Sequence, residues 1–480
     1  MTSRARTARR ALARLDRPEA WTVSGVAALL YVVVAVLQWR RLEVPSWDLA
    51  IFTQLAKAYA SGEAPIVPIK GPGFNLLGDH FHPALVLLGP VYALFPSGLS
   101  LLVLQALLVA LSAWPLTALA VRRLGRRPGI WVGALYVLSH GIQGAVRSQF
   151  HEVSFALPLL AFGLCALLER RWRASVLWLA PLVLVKEDLG LMVAVLGLVA
   201  WHRGARRAGL GLAAWGAGWF LLTTAVILPA LNPRGQYDYA DNLAVGDVLG
   251  DPLGTLAGVL GPGEKVVTVL LLVAMSGVVG LRSPLLLAAL PTLAWRFLGD
   301  VPFYWTWTWH YDAVLMPLAV AAMLDALGPA PEAAGEDGEP VPEPARRAWR
   351  RRTALALGAA TLAVVLAAPG QPVLRLLDAE TWRPSARADA AREVLATVPD
   401  GAVVSSDISL LAYLVPTTTA QWSGTPDNPP PDYYVVDRRS GTWGGNPPED
   451  AARHAEDRHP GTAYELVLDR DGYQVARRAG

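Results

Sequence analysis

Eleven apolar runs, most of them near the thickness of a bilayer, restrict what this chain can become more than any other feature. They lie at 21–39, 99–121, 129–146, 153–169, 174–185, 189–201, 209–231, 266–280, 284–299, 311–327 and 353–369. Once water is excluded, only a helix can satisfy the backbone amides of such a run from within. The runs at 174–185 and 189–201 are short. At about 1.5 Å per residue each covers about 20 Å, against a hydrocarbon core of about 30 Å, so they predict a tight hairpin partly inside the protein. Charged residues make up only 17% of the chain and hydrophobic ones 53%; a soluble domain carries about 25% charge. Disorder and a single soluble globule are both excluded. The fold class expected is an α-helical polytopic membrane protein with about 11 spans.

Arginine placement orients it. Arg4, Arg6, Arg9, Arg10, Arg14 and Arg17 precede the first run, which predicts a cytoplasmic N-terminus over residues 1–20. With no small-residue cleavage site, the first run reads as a signal anchor rather than a cleaved signal. Alternation then puts Arg122–Arg127, Glu169–Arg173, Arg203–Arg207, Arg282 and Arg346–Arg352 on the same inner side. Counting Ala84–Phe95 as a span would invert every later loop. That stretch, with Leu49, Phe52, Leu55 and Tyr59, is expected instead to lie at the interface within a large first outer loop, 40–98. The expected organisation is therefore a transmembrane core at 21–327, a Pro- and Glu-rich cytoplasmic linker at 328–352, a last span at 353–369 and an outer α/β domain at 370–480. Within that tail, Ala386–Val398 reads as a helix, and Ala402–Ser405, Tyr433–Asp437, Tyr464–Leu468 and Tyr473–Ala476 read as strands.

A net charge of +3 implies no nucleic-acid partner, and the lone Cys165 allows neither an intramolecular disulfide nor a cysteine metal cluster. The ionisable residues near the outer face say more. Five of eight histidines, His80, His82, His140, His151 and His310, fall there, beside Asp48, Asp79, Arg147, Glu152, Lys186, Glu187, Asp188, Arg296 and Asp312. Mixed acids, bases and imidazoles are costly at a membrane face and mark a site or pathway.

Each motif has a plain and a functional reading. Asp48 in Ser46-Trp47-Asp48 either offsets helix N-terminal amides or acts as a base toward an acceptor hydroxyl. Asp79, His80 and His82 form either a hydrogen-bonded loop lip or, if extended, a one-faced pair of divalent-metal ligands. Arg147, His151 and Glu152 make an interfacial turn with a snorkelling Arg, or a phosphate clamp beside an acid–base pair. Lys186, Glu187 and Asp188 close a solvated hairpin tip, or sit in a polar cavity. Trp305, Trp307 and Trp309 read as an aromatic belt, with His310 at its rim.

In this order, Trp47-Asp48-Leu49, Gly78-Asp79-His80-Phe81-His82-Pro83, Gln149-Phe150-His151-Glu152, Lys186-Glu187-Asp188 and His310-Tyr311 resemble an uncharacterised family of bacterial polytopic membrane proteins. That family is in turn similar to the GT-C glycosyltransferases. The resemblance covers nearly the whole chain. It implies a multi-pass protein of the bacterial plasma membrane that binds a polyprenyl-phosphate-linked sugar and transfers the sugar to a glycan, lipid or protein acceptor. It also implies that Asp48 is the catalytic base or the group orienting the acceptor. The tail holds Ser405-Ser406-Asp407 and Leu414-Val415-Pro416 but not the family's His-bearing segment, which argues against a site in the tail.

Glycosyl transfer requires a base near the acceptor and cations at the leaving phosphate. Asp48, Asp79, His151 and Glu152 are the candidates for acid–base work. Arg147, Lys186, Arg296 and His310, with Glu187 and Asp188, are candidates for binding donor and phosphate, with or without a metal on His80 and His82. No phosphate-cradling loop appears, so no nucleotide cofactor is expected. The alternatives are a transporter or flippase of an envelope substrate and a non-catalytic envelope scaffold.

Overall fold

The computed structural model describes residues 17–239, 250–331 and 342–480. Arg4 to Arg14 and the centre of the expected linker, 332–341, lie outside the described residues.

Apolar helices stand at all eleven expected positions, yet few are long. Among the described residues, Pro18–Arg40, Gly98–Leu124 and Arg206–Leu231 alone have the length and hydropathy to cross a membrane, and two bent pairs raise this to five. The expected count of about 11 spans is therefore not confirmed among the described residues, and the causes are local. Pro181 ends the Trp172–Leu179 helix, and a 3-10 segment Ala180–Leu184 follows. Pro284 begins a 3-10 turn before the Leu290–Leu298 helix. The 129–146 run divides into Arg126–Val137 and His140–Arg147. Glu343–Ala367 is long enough, but five arginines between Arg346 and Arg352 occupy its first half. The breaks between the short helices bury polar residues, among them Ser139, His140, Lys186 and Glu187.

Ala84–Phe95 does not form one rod. A 3-10 turn, Pro83–Leu87, leads into the helix Leu88–Leu94, with Leu85, Leu88 and Tyr92 buried and Val86, Leu87, Leu94 and Phe95 exposed.

The tail holds a five-stranded sheet: β1 Val403–Ser406, β2 Thr419–Trp422, β3 Tyr433–Asp437, β4 Tyr464–Arg470 and β5 Tyr473–Arg478, in the order β2-β1-β3-β5-β4. β1 runs parallel to β2 and β3, whereas β5 is antiparallel to β3 and β4. Asp471 and Gly472, both at positive φ, close the β4–β5 hairpin as a two-residue turn of this kind requires. The helix Ala388–Thr397 forms as expected. β2, only four residues long and following Thr417-Thr418, escapes the alternation pattern.

The tail does not have a core to itself. Leu49, Phe52, Leu55, Leu88 and Leu101 belong to the same buried cluster as Val394, Val404, Leu411, Val415, Ala420 and Val475. Each Leu, Val or Phe among them contributes about 1.5–3 kcal/mol by leaving water. Gln54 crosslinks three segments: its amide donates to the Ala420 carbonyl at 2.9 Å and accepts from the Ile69 N–H at 3.0 Å. Lys57 donates to the Val415 and Thr418 carbonyls, both at 2.9 Å. The tail is thereby fixed to the helix that carries Asp48.

Candidate functional site

The Ser46 hydroxyl accepts from the Leu49 N–H at 3.1 Å and caps the helix Trp47–Ala60. Asp48 thus lies in a first helical turn, where free amides favour an anion. Farther along the loop, Gly78 packs where no side chain fits: a Cβ there would stand 2.5 Å from the Leu231 carbonyl carbon. Asn232 donates to the Gly78 carbonyl at 3.1 Å. This close approach holds the Gly78–His82 strip against the end of the Arg206–Leu231 segment.

Both segments border a cavity of about 400 Å³. Asp48, Asp79, His80, His82, His151, Glu152, Lys186, Glu187, Asp188 and His310 all line it. They arrive from five separate stretches of chain. Leu191, Phe220, Pro291, Leu298 and Phe303 supply an apolar side, and Trp295, Tyr304 and Tyr311 form an aromatic wall with ring centroids 5.1–5.9 Å apart.

The charges are paired. Lys70 lies 3.1 Å from Asp79, the His80 Nδ1 2.7 Å from Glu187, the Lys186 Nζ 2.9 Å from Glu152, and the His151 Nε2 3.4 Å from Asp48. The second Glu187 oxygen accepts from the Phe81 N–H at 3.0 Å, and Tyr237 donates to the first at 3.2 Å. Trp295 donates to Asp188 at 3.0 Å, and His151 stacks on His310 at 3.7 Å. The Asp48 side chain is 47% exposed, and the space it faces is the cavity it lines. Burial opposes its ionised form, yet His151 outweighs burial and holds the carboxyl below its usual range. Burial also opposes the His151 imidazolium, and there Asp48, joined by Glu152 and the Gln149 carbonyl, raises the pKa. Burial pushes His82 down to about 4.

Two of the expected phosphate ligands lie elsewhere. Arg147 donates to the Gly370 carbonyl, where the chain leaves the Glu343–Ala367 helix, and does not line the cavity. Arg296 is fully buried behind the cavity wall, bonded to Asp312 and to the Tyr304 and Thr306 carbonyls. The pairing of His80 with His82 on a metal does not fit either. His80 is committed to Glu187 and stacks on Tyr239 at 4.4 Å, whereas His82 turns its ring toward Phe52. Among the described residues no three His, Cys, Asp or Glu side chains converge as a metal site.

The structure adds Lys70, Tyr237, Tyr239, Trp295 and Tyr304 to the site. Lys70 carries the same signal that marks Lys186, since the chain has only 4 lysines. Tyr237 and Tyr239 sit in a polar stretch, Asn232–Tyr239, whose place in the fold no local pattern reveals.

Among solved structures, ArnT from Cupriavidus metallidurans bound to undecaprenyl phosphate is similar at 14% identity and a TM-score of 0.49, covering 94% of this chain and 98% of that one. The Archaeoglobus fulgidus oligosaccharyltransferase in complex with Zn and sulfate is similar at 15% identity and a TM-score of 0.45, covering 94% and 72%. The archaeal oligosaccharyltransferase AglB from Archaeoglobus fulgidus, with an inhibitory peptide and a dolichol-phosphate, is similar at 13% identity and a TM-score of 0.40, covering 96% and 74%. No curated protein sequence matches the chain. The model of one protein family matches residues 39–473, which is most of the chain, and the protein therefore belongs to that family, the predicted membrane proteins DUF2079.

Proposed function

We propose that this protein is a membrane glycosyltransferase that moves a sugar from a polyprenyl-phosphate-linked donor to an extracytoplasmic acceptor, with Asp48 as the base. One observation carries the reading. A water-facing carboxylate, Asp48, shares a cavity of about 400 Å³ with Lys70 and Lys186, next to an apolar side fit for a lipid chain. In the reaction the acceptor hydroxyl oxygen attacks the anomeric carbon, and its proton passes to Asp48. The bond from that carbon to the phosphate oxygen breaks, its electron pair leaving with the polyprenyl phosphate. Lys70 and Lys186 stand near enough to the cavity to offset the phosphate charge.

In this reading the chain crosses the bacterial plasma membrane eleven times, its shorter helices embedded among the longer ones, with the N-terminus cytoplasmic. The core spans 21–327, the last crossing 353–369, and the 370–480 unit lies outside. The acceptor is a glycan, lipid or protein. The flippase reading draws on the buried Lys186–Glu152 pair, the type of group a transport path uses.

The test uses full-length protein in lipid nanodiscs with a panel of radiolabelled undecaprenyl-phosphate sugars, following release of undecaprenyl phosphate. At least one donor is turned over, and Asp48→Asn lowers its rate about 10²–10⁴-fold, the usual worth of a general base. Undiminished turnover by Asp48→Asn removes Asp48 as base. Donor crossing the bilayer without cleavage establishes the flippase instead.

A further inference from the structure

The residue that aims the site does not itself line the cavity. Gln149 has φ +70°, a left-handed conformation that a side chain with a Cβ adopts only at a cost. Its side-chain oxygen is also buried with no hydrogen-bond partner among the described residues, a second cost. Strain of this sort persists where the surroundings demand the backbone geometry it gives. Here that geometry points the Gln149 carbonyl at His151, whose Nδ1 lies 3.3 Å from it.

His151 is then fixed on every side. Its backbone N–H donates to Gln105 at 3.1 Å, and Gln105 is itself tied to the Ala145 carbonyl. Its ring face rests on His310. With Nδ1 held by a carbonyl, the remaining nitrogen, Nε2, is the one that meets Asp48. The same turn touches the start of the Asp48 helix, where the Ser46 hydroxyl donates to the Ser148 carbonyl at 3.4 Å.

We propose that Gln149 is a positioning residue: its left-handed backbone locks the His151 ring so that Nε2–H holds one oxygen of Asp48 and leaves the other for the acceptor hydroxyl. The backbone does this, not the Gln side chain. Glycine reaches the conformation freely, and a β-branched residue is the least able to. The role in transfer rests on the function proposed above; the clamp on His151 does not.

The experiment is nitrogen-15 NMR of full-length, 15N-histidine-labelled protein in lipid nanodiscs, the His151 signals being assigned by their loss in His151→Gln. Asp48 and Glu152 are the acids that bear on this ring, and His310 the base stacked on it. In the wild type the His151 ring titrates above the ordinary value of about 6.5. Gln149→Gly keeps this behaviour. Gln149→Val brings the midpoint down by about one unit, a tenfold change, and lowers donor turnover at least tenfold in kcat with KM unchanged. If the valine variant does not fold, Gln149→Ala shows the same shift in smaller degree. An unchanged His151 titration in the Val or Ala variant overturns the proposal, as does its loss in Gln149→Gly. Because the titration needs no substrate, it stands or falls apart from glycosyl transfer.

Discussion

Two sets of charged side chains look alike in the sequence and differ in what surrounds them. Around the cavity, Asp48 with His151 and Lys70 with Asp79 keep one side toward water. Behind the wall, Arg296, Asp312 and His140 are wholly buried, with the His140 Nε2 3.0 Å from Asp312. Both sets satisfy the same sequence criterion, ionisable groups near one membrane face. What separates them is access. A charge open to a cavity can exchange its partner for a substrate, whereas a dry charge has no alternative to the partner it has. The dry set also has a mechanical role, because Arg296 holds the Tyr304 and Thr306 carbonyls, and so holds the aromatic wall in place.

This contrast can be broken by mutation, and the largest effect belongs to the dry set. Asp312→Ala leaves Arg296 buried without its counter-charge and costs about 3–5 kcal/mol, read as a lower melting temperature of the purified protein. Replacing both residues, Arg296→Met with Asp312→Leu, restores only part of that loss, because the Tyr304 and Thr306 carbonyls lose their donor. A melting temperature untouched by Asp312→Ala would mean the triad is hydrated after all.

Gln54 is an intermediate case, buried and polar but neutral. Gln54→Leu strands the Ile69 N–H and the Ala420 carbonyl and costs about 1–3 kcal/mol. Limited proteolysis should then release the 370–480 unit sooner than in the wild type. Equal cleavage rates would show that the shared apolar cluster alone holds the tail.

The cavity set answers to pH instead. Asp48 is held below its usual range and His151 above its own. The Asp48 contribution to stability is present above about pH 3.9 and is lost as pH falls through its lower folded value. The His151 contribution is present below about pH 6.5 and is lost as pH rises through its higher folded value. The wild type should therefore exceed Asp48→Asn in melting temperature most clearly between those limits, the advantage fading toward alkaline pH. A difference that is flat with pH would show that the two groups are not an ion pair.

The smallest effect is expected at Arg147. It serves the exit of the Glu343–Ala367 helix and does not line the cavity, so Arg147→Gln should change donor turnover less than about twofold, within the range of a surface substitution. A loss of tenfold or more would return it to the site.

How much of the site is legible in the sequence follows from the same contrast. The rarity of ionisable groups in apolar sequence is enough to bring Asp48, His80, Glu152 and Lys186 forward. It cannot tell them from Arg296, because composition records a charge but not its exposure. Lys70 is marked only by the rarity of lysine, and the Tyr237–Tyr239 stretch lies in an ordinary polar loop; only the chain's return beside Asp79 and Glu187 makes them part of a wall. In the tail, Tyr433–Asp437 is legible from its apolar run, and β2 is not, since four residues give too short a period to read.

By itself the sequence determined the membrane class, the helical character and many of the ionisable residues that line the cavity. Hydrophobicity and helical period are local sums along the chain and need no knowledge of neighbours. Tertiary structure alone decided where helices break into polar turns, which charges open on the cavity and how the tail joins the first loop. Those outcomes depend on partners far apart in sequence: 107 residues separate His80 from Glu187, and 366 separate Gln54 from Ala420. A hydrogen bond or an ion pair acts over a few ångströms, so only the folded chain can say which groups come within its reach.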